Sequence, residues 1–334
     1  MLELISNLFF LILKILVIVF MFLTAIAYTT FAERKISAGF QRRKGPNRAG
    51  PFGLLQPLAD GIKLFFKEEF TPDTPYKFLF TLAPLLVVVP AFCLLAVIPL
   101  GPNFQITDLN IGLLYLFALT SLGVYGVIVG GWSSNNKYSM RGAMRASAQL
   151  ISYEIPMGLA AVGLLMVTGT FSLKEIVEFQ SVNGWLILAQ PFGFLLFLIA
   201  SLAEAGRVPF DLPEAEAEIV GYHTEYSSMK FGLFQMGEFG HMILASLIIA
   251  TLFFGGWNFP FLNQLHFPSL IMDAIYFGVL AVKTFLLVFL FMWIRWTLPR
   301  FRYDQLMNIG WKFLIPAAVI NLLGTAFFIL MGAK

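Results

Sequence analysis

Leu-Ile-Ser-Asn-Leu-Phe-Phe-Leu-Ile-Leu-Lys-Ile-Leu-Val-Ile-Val-Phe-Met-Phe-Leu-Thr-Ala-Ile-Ala-Tyr-Thr-Thr-Phe, residues 4–31, decides the fold class. As a helix rising 1.5 Å per residue it would extend roughly 42 Å, more than a hydrocarbon core of ~30 Å. It is far longer than the apolar region of a cleavable signal, and no basic stretch precedes it. It therefore reads as a retained membrane span, one that tilts or protrudes.

Working outward, further apolar windows fall at about 78–98, 112–131, 144–168, 186–204, 236–256, 272–294 and 309–331, with the first at 3–31. The expected fold is all-α: one polytopic membrane domain of eight transmembrane helices over 1–334. An even number of spans puts both termini on one side. Lys and Arg test that placement. Segments 32–77, 132–145, 205–235 and 295–312 carry eighteen of the chain's 22, whereas the alternate segments carry only Lys174 and Lys334. Cationic loops stay on the cytoplasmic side, so both termini are expected outside.

Composition narrows the chemistry. The chain is 58% hydrophobic and 12% charged, well below the charged fraction of a soluble domain. Cys93 is the single cysteine, so no disulfide, zinc site or iron–sulfur cluster can be built from this chain's own thiolates. His223, His241 and His266 show no metal-ligand spacing, and no glycine-rich nucleotide cradle occurs. No internal repeat is visible, which weighs against an inverted-repeat transporter.

The two long cytoplasmic connections draw attention. In the first, residues 52–67 are too polar and short to span. Gln56, Asp60, Lys63 and Lys67 form one polar stripe opposite Leu55, Leu58, Ile62, Phe65 and Phe66, the pattern of an amphipathic helix lying in the interface. Such a helix serves either as a surface anchor or as the rim of a cavity open to the bilayer. Asp60 and Lys63, at i, i+3, are placed to pair.

The second connection, 205–235, is acidic. Asp211 with Glu214 three residues on and Pro213 between them has the form of a helix start, which accounts for acids in the first turn. If that helix continues, Asp211, Glu214, Glu218 and Glu225 share one stripe. Like charges at that spacing destabilise a helix, and partial desolvation would raise their proton affinity toward neutral pH. Glu216 lies beside them.

Two ionisable residues fall deep within spans. Lys283 sits about 16 Å from either end of its helix, beyond snorkelling reach. Glu154 lies well inside the fourth span, ahead of Pro156 and Gly158. Charges at such depth face a bundle interior or a hydrated path, and a proton or ion path is the expectation here. Glu204 and Glu238 lie nearer helix ends.

Several segments together resemble a known family. Glu33-Arg34-Lys35, Gly45-Pro46-Asn47, Gly53-Leu-Leu-Gln-Pro57 with Asp60, Arg145-Ala-Ser-Ala-Gln149 with Tyr153-Glu154-Ile-Pro156, and Glu204-Ala-Gly-Arg-Val-Pro-Phe-Asp-Leu-Pro-Glu214-Ala-Glu-Ala-Glu218 through Glu225-Tyr-Ser-Ser carry the likeness. They are similar to the H subunits of respiratory NADH:quinone oxidoreductase, complex I, and to their mitochondrial homologues. The resemblance covers nearly the whole chain. It implies a subunit at the junction of hydrophilic and membrane arms, which shapes much of the quinone chamber and couples quinone reduction to proton translocation. Carried over by motif, Glu33, Arg34, Phe52, Asp60, Lys63, Phe210, Asp211 and Arg295 would form the chamber and its rim. The first, amphipathic and sixth helices would frame its entrance. Glu214, Glu216, Glu218, Glu225, Glu154, Glu204 and Lys283 would be the coupling and proton-path groups.

The same resemblance implies ubiquinone or menaquinone as substrate, with FMN and iron–sulfur clusters only on partner subunits. The implied partners are the hydrophilic-arm quinone-site and terminal cluster subunits, the small membrane-arm subunits and membrane lipid, with no nucleic acid. The implied location is a bacterial cell inner membrane, with an organellar inner membrane as the alternative. Rival readings are the equivalent subunit of a ferredoxin-linked or hydrogenase-type complex, and a stand-alone proton or cation transporter.

Overall fold

Charged side chains do not end the first helix. Glu33, Arg34 and Lys35 are good helix formers, so α1 runs Leu2–Phe40, well past the apolar stretch. It stops where Arg42 takes a left-handed conformation and Gly45-Pro46 follows. The computed structural model describes residues 2–72, 76–212, 221–260 and 268–332. Glu214, Glu216 and Glu218 lie outside them.

Beyond α1 come the interfacial α2 (Gln56–Phe66), α3 (Lys77–Leu94), α4 (Gly112–Ser133), α5 (Lys137–Thr168), α6 (Leu173–Asn183), α7 (Leu186–Ala189), α8 (Pro191–Glu204), α9 (Ser228–Phe253), α10 (Ser269–Thr297), α11 (Tyr303–Asn308) and α12 (Ile315–Leu330). A π turn, Ile309–Leu314, joins the last two, so Tyr303–Leu330 crosses as one span. Among the described residues no strand occurs, and seven helices are long and apolar enough to cross a membrane. The expected fifth span is instead broken. Pro191 cannot donate to the helix ladder and starts a new helix, and α8 alone would extend only ~21 Å. The side-chain amide of Gln190 at the break donates to Gly163 O at 3.0 Å and Thr325 Oγ1 at 2.9 Å, tying it to α5 and α12.

α9 is the hub. Of its most apolar stretch, 83% is buried, against 11–44% for the other long spans. It is apolar on most sides, as a helix enclosed by other helices should be. Small residues let its neighbours come close. A Cβ on Gly237 would meet Val87 Cγ1 at 2.4 Å, and one on Gly126 would meet Val87 Cγ2 at 2.5 Å, so α3 wedges between α4 and α9.

α2 docks on both α1 and α9. Ser228, at the start of α9, donates its hydroxyl to Leu64 O (3.0 Å) and Lys67 O (2.7 Å), satisfying carbonyls at the end of α2. Leu58, Ile62, Phe65 and Phe66 remain exposed, the apolar face an interfacial helix turns to lipid.

Candidate functional site: buried charges in two neighbouring cavities

Glu33, two turns before the end of α1, is only 8% exposed and cannot stay ionised there without partners. It has two. Arg207, 6% exposed and just beyond α8, approaches within 3.3 Å, and Arg295 near the end of α10 pairs with it as well. The Arg207 guanidinium also lies 4.3 Å from the Phe239 ring centroid, a cation–π contact that holds its plane. These residues line a cavity of about 510 Å³ with His223, Phe234, Gln235 and Glu238.

A second cavity of about 740 Å³ lies beside it. Arg207 and Glu238 line both, and Glu154, Glu204, His241, Thr120, Gly123 and Tyr222 are among the other residues of the second. Glu154 accepts a hydrogen bond from Ser121 Oγ on α4. Glu238 accepts from Tyr222 Oη at 3.0 Å. The order of charges is thus Glu33, Arg207, Glu238, then Glu204 and Glu154, on chain segments whose sequence separation hides their proximity. The carboxylates and guanidinium in these walls offer hydrogen-bond partners to any water that enters.

Around this line sit further ion pairs. Arg34 meets Asp60 at 2.6 Å, and Gln56 donates to the same carboxylate at 3.0 Å. Asp60 therefore takes its cation from α1, where helical spacing favours Lys63. Asp211 meets Arg300 at 2.6 Å. Phe52, in a short 3₁₀ turn before α2, is exposed with φ of 54°. Phe210 is buried between Tyr153 and Phe301, and Gln149 clamps its carbonyl and that of Ala203 at 2.7 and 2.6 Å. Phe210 thus fastens the loop to the core and lines neither charged cavity.

The carboxylate stripe does not reach Glu225. Gly221 has φ of 57°, and residues 222–225 form turns. Glu225 instead accepts from Asn136 Nδ2 at 2.6 Å, at the N-terminus of α5. Lys283 lines neither charged cavity. Its ammonium donates to Phe254 O (2.7 Å), Gly256 O (2.8 Å) and Asn258 O (2.5 Å), with Trp185's ring 5.1 Å away. Gly255 and Gly256, both with positive φ, turn the chain beyond α9 back toward the lysine.

Sequence spacing alone passes over Arg207, Glu238 and His241 as site members. The signal for the last two is present: at i, i+3 they share a face of α9.

An all-helical bundle with ionisable groups lining cavities between its helices defines a class: polytopic membrane proteins with charged residues in the protein interior. Likeness to known proteins gives the particular one. The family model for NADH dehydrogenase matches residues 13–326, and the chain belongs to that family. It is 52% identical over 317 residues to the NADH-quinone oxidoreductase H 1 subunit of Cytophaga hutchinsonii, covering 91% of this chain and 92% of that one. It is 52% identical to the H subunit of Flavobacterium johnsoniae (91% and 90% covered) and 48% identical to the H 1 subunit of Geobacter metallireducens (95% and 96%).

Proposed function

We propose that this chain is the membrane subunit of a proton-translocating NADH:quinone oxidoreductase that shapes much of the quinone chamber and converts quinone chemistry into proton movement. The observation that carries this is the pair of neighbouring cavities with Arg207 and Glu238 in both walls. Glu33, Arg295, Arg207 and Glu238 line the first, and the last two also line the second, where Glu204 and Glu154 join them.

The quinone reading draws on a third cavity. About 1050 Å³ between α1, α9 and α10 is lined almost wholly by apolar side chains, and reaches Ala32 and Ile36 on either side of Glu33 in the chain. An isoprenoid tail suits such a space, and α2 packed on α1 and α9 frames the neighbouring surface as a rim. Electrons would arrive from iron–sulfur clusters, and originally FMN, on partner subunits. This chain's part is electrostatic. A reduced quinone anion near Glu33, Arg207 and Arg295 shifts the proton affinity of nearby carboxylates, each tenfold change costing about 1.4 kcal/mol. Glu238, Glu204 and Glu154 then carry the proton inward. Glu214, Glu216 and Glu218, by family resemblance, extend the path into the loop, and Lys283 stands outside it.

The test is Glu204→Gln and Glu218→Gln in the assembled complex, in inverted membrane vesicles. Quinone reduction and proton uptake should fall together by roughly a hundredfold or more, the scale of a lost proton-transfer group, while NADH:ferricyanide reduction stays normal. Full pumping in both variants would overturn the reading.

A further inference from the structure

His241 is an ionisable group with no structural employment. It lies on α9 three residues after Glu238 and lines the same cavity as Glu154, Glu204 and Glu238. It also lines a smaller adjoining cavity of about 240 Å³ with Thr120 and Glu204. Neither ring nitrogen hydrogen-bonds to any described residue. The facing wall is Gly123 of α4, where an added Cβ would lie 3.5 Å from Nε2. The absence of a side chain there leaves room beside that nitrogen.

A partly buried imidazole without protein partners is costly if dry. Here the ring borders two largely apolar spaces whose walls also carry Thr120, Glu154, Glu204 and Glu238, and a neutral imidazole can donate from one nitrogen and accept at the other. The groups facing it are Glu238 on its own helix, Glu154 from α5, Glu204 from α8, and Arg207 and Tyr222 from the connection; α4 supplies Thr120 and no charge.

We propose that His241 is the relay joining the two halves of the charge path. It rests on the proton path proposed above. A proton leaving Glu238 through water adds to the bare ring nitrogen, giving an imidazolium. The proton on the other nitrogen then passes to Glu204. The ring returns to neutrality as the opposite tautomer, and a ring flip resets it. Histidine suits the step because its donor and acceptor lie on opposite sides of one rigid ring.

The experiment uses the whole complex in inverted vesicles with His241→Leu and His241→Gln, beside Glu204→Gln. NADH:ferricyanide reduction normalises for assembly. Both His241 variants should lower quinone reduction by roughly a hundredfold, the low end of what a proton-transfer group contributes, and both should alter its dependence on pH. Gln keeps a donor and an acceptor and nearly the volume, so it separates relay from polar filler. A Gln variant with the wild-type rate and pH profile would overturn the relay, as would an active Leu variant. If Glu204→Gln is impaired while both His241 variants are normal, the path stands and only the relay falls. If all three are normal, the path itself has failed.

Discussion

Glu204 and Lys283 are both ionisable groups at membrane depth, and the fold treats them in opposite ways. The Lys283 ammonium has three protons to donate, and three backbone carbonyls within 2.8 Å take them. Those carbonyls belong to the end of α9 and the turn beyond it, where the helix dipole is negative. Lys14 follows the same rule, donating to Asn103 O and Gln105 O at 3.0 and 2.5 Å. Glu204 and Glu154 line cavities instead, and Glu154 accepts from the Ser121 hydroxyl. On the proposed path, depth in a span therefore does not separate a proton carrier from an anchor. Saturation of hydrogen-bonding capacity does: a group with every donor engaged loses bonds when it changes charge, and a group facing polar space loses few.

The largest effect should come where the carboxylate half is most tightly paired. Glu33→Gln leaves Arg207 and Arg295 facing one another with no anion between them. Removing one member of a buried ionic cluster costs about 3–5 kcal/mol. Assembled complex on native gels should fall sharply, and adding Arg207→Gln should recover part of it. Normal assembly of Glu33→Gln would show that solvent, not Glu33, neutralises the two guanidiniums.

Lys283→Met breaks the comparison most directly. The substitution orphans three carbonyls and should lower thermal stability of the purified complex by about 2–4 kcal/mol. Protons pumped per NADH oxidised in the surviving complex should be unchanged. A stable variant that reduces quinone but pumps poorly would move Lys283 among the carriers.

This contrast was only half legible in the sequence. Apolar windows give the spans because lipid leaves the backbone few alternatives to a helix. Their ends are less visible, since residues 32–40 can continue a helix in the headgroup region. Pro191 marks the break in the fifth span, yet a window average passes over it. The depth of Lys283 is readable from its distance to either helix end. What cannot be read is that Gly255 and Gly256 fold the chain back to meet it, because that contact joins positions 25 to 29 residues apart. Glu225 fails the stripe for a local reason: Gly221 has a left-handed φ and residues 222–225 form turns. Glu33 and Arg207 become neighbours only when α1, α9 and α10 converge.

The smallest stability effect belongs to the pair nearest water. Arg34 and Asp60 side chains are 46% and 31% exposed, and exposed pairs are worth about 0–1 kcal/mol, screened by salt. Asp60→Asn should therefore leave assembly and melting almost unchanged. Asp60 nevertheless connects α2 to α1 beside the proposed entrance. The contact fixes how the exposed face of α2 meets the bilayer, so the variant should raise the apparent KM for a long-tailed quinone by about two- to fivefold, an energy within that same range. The rate with a short-tailed analogue should hardly change. Equal effects on both quinones would mean that Asp60 acts on the reaction and not on entrance, and would shift the border between carriers and anchors to the membrane surface.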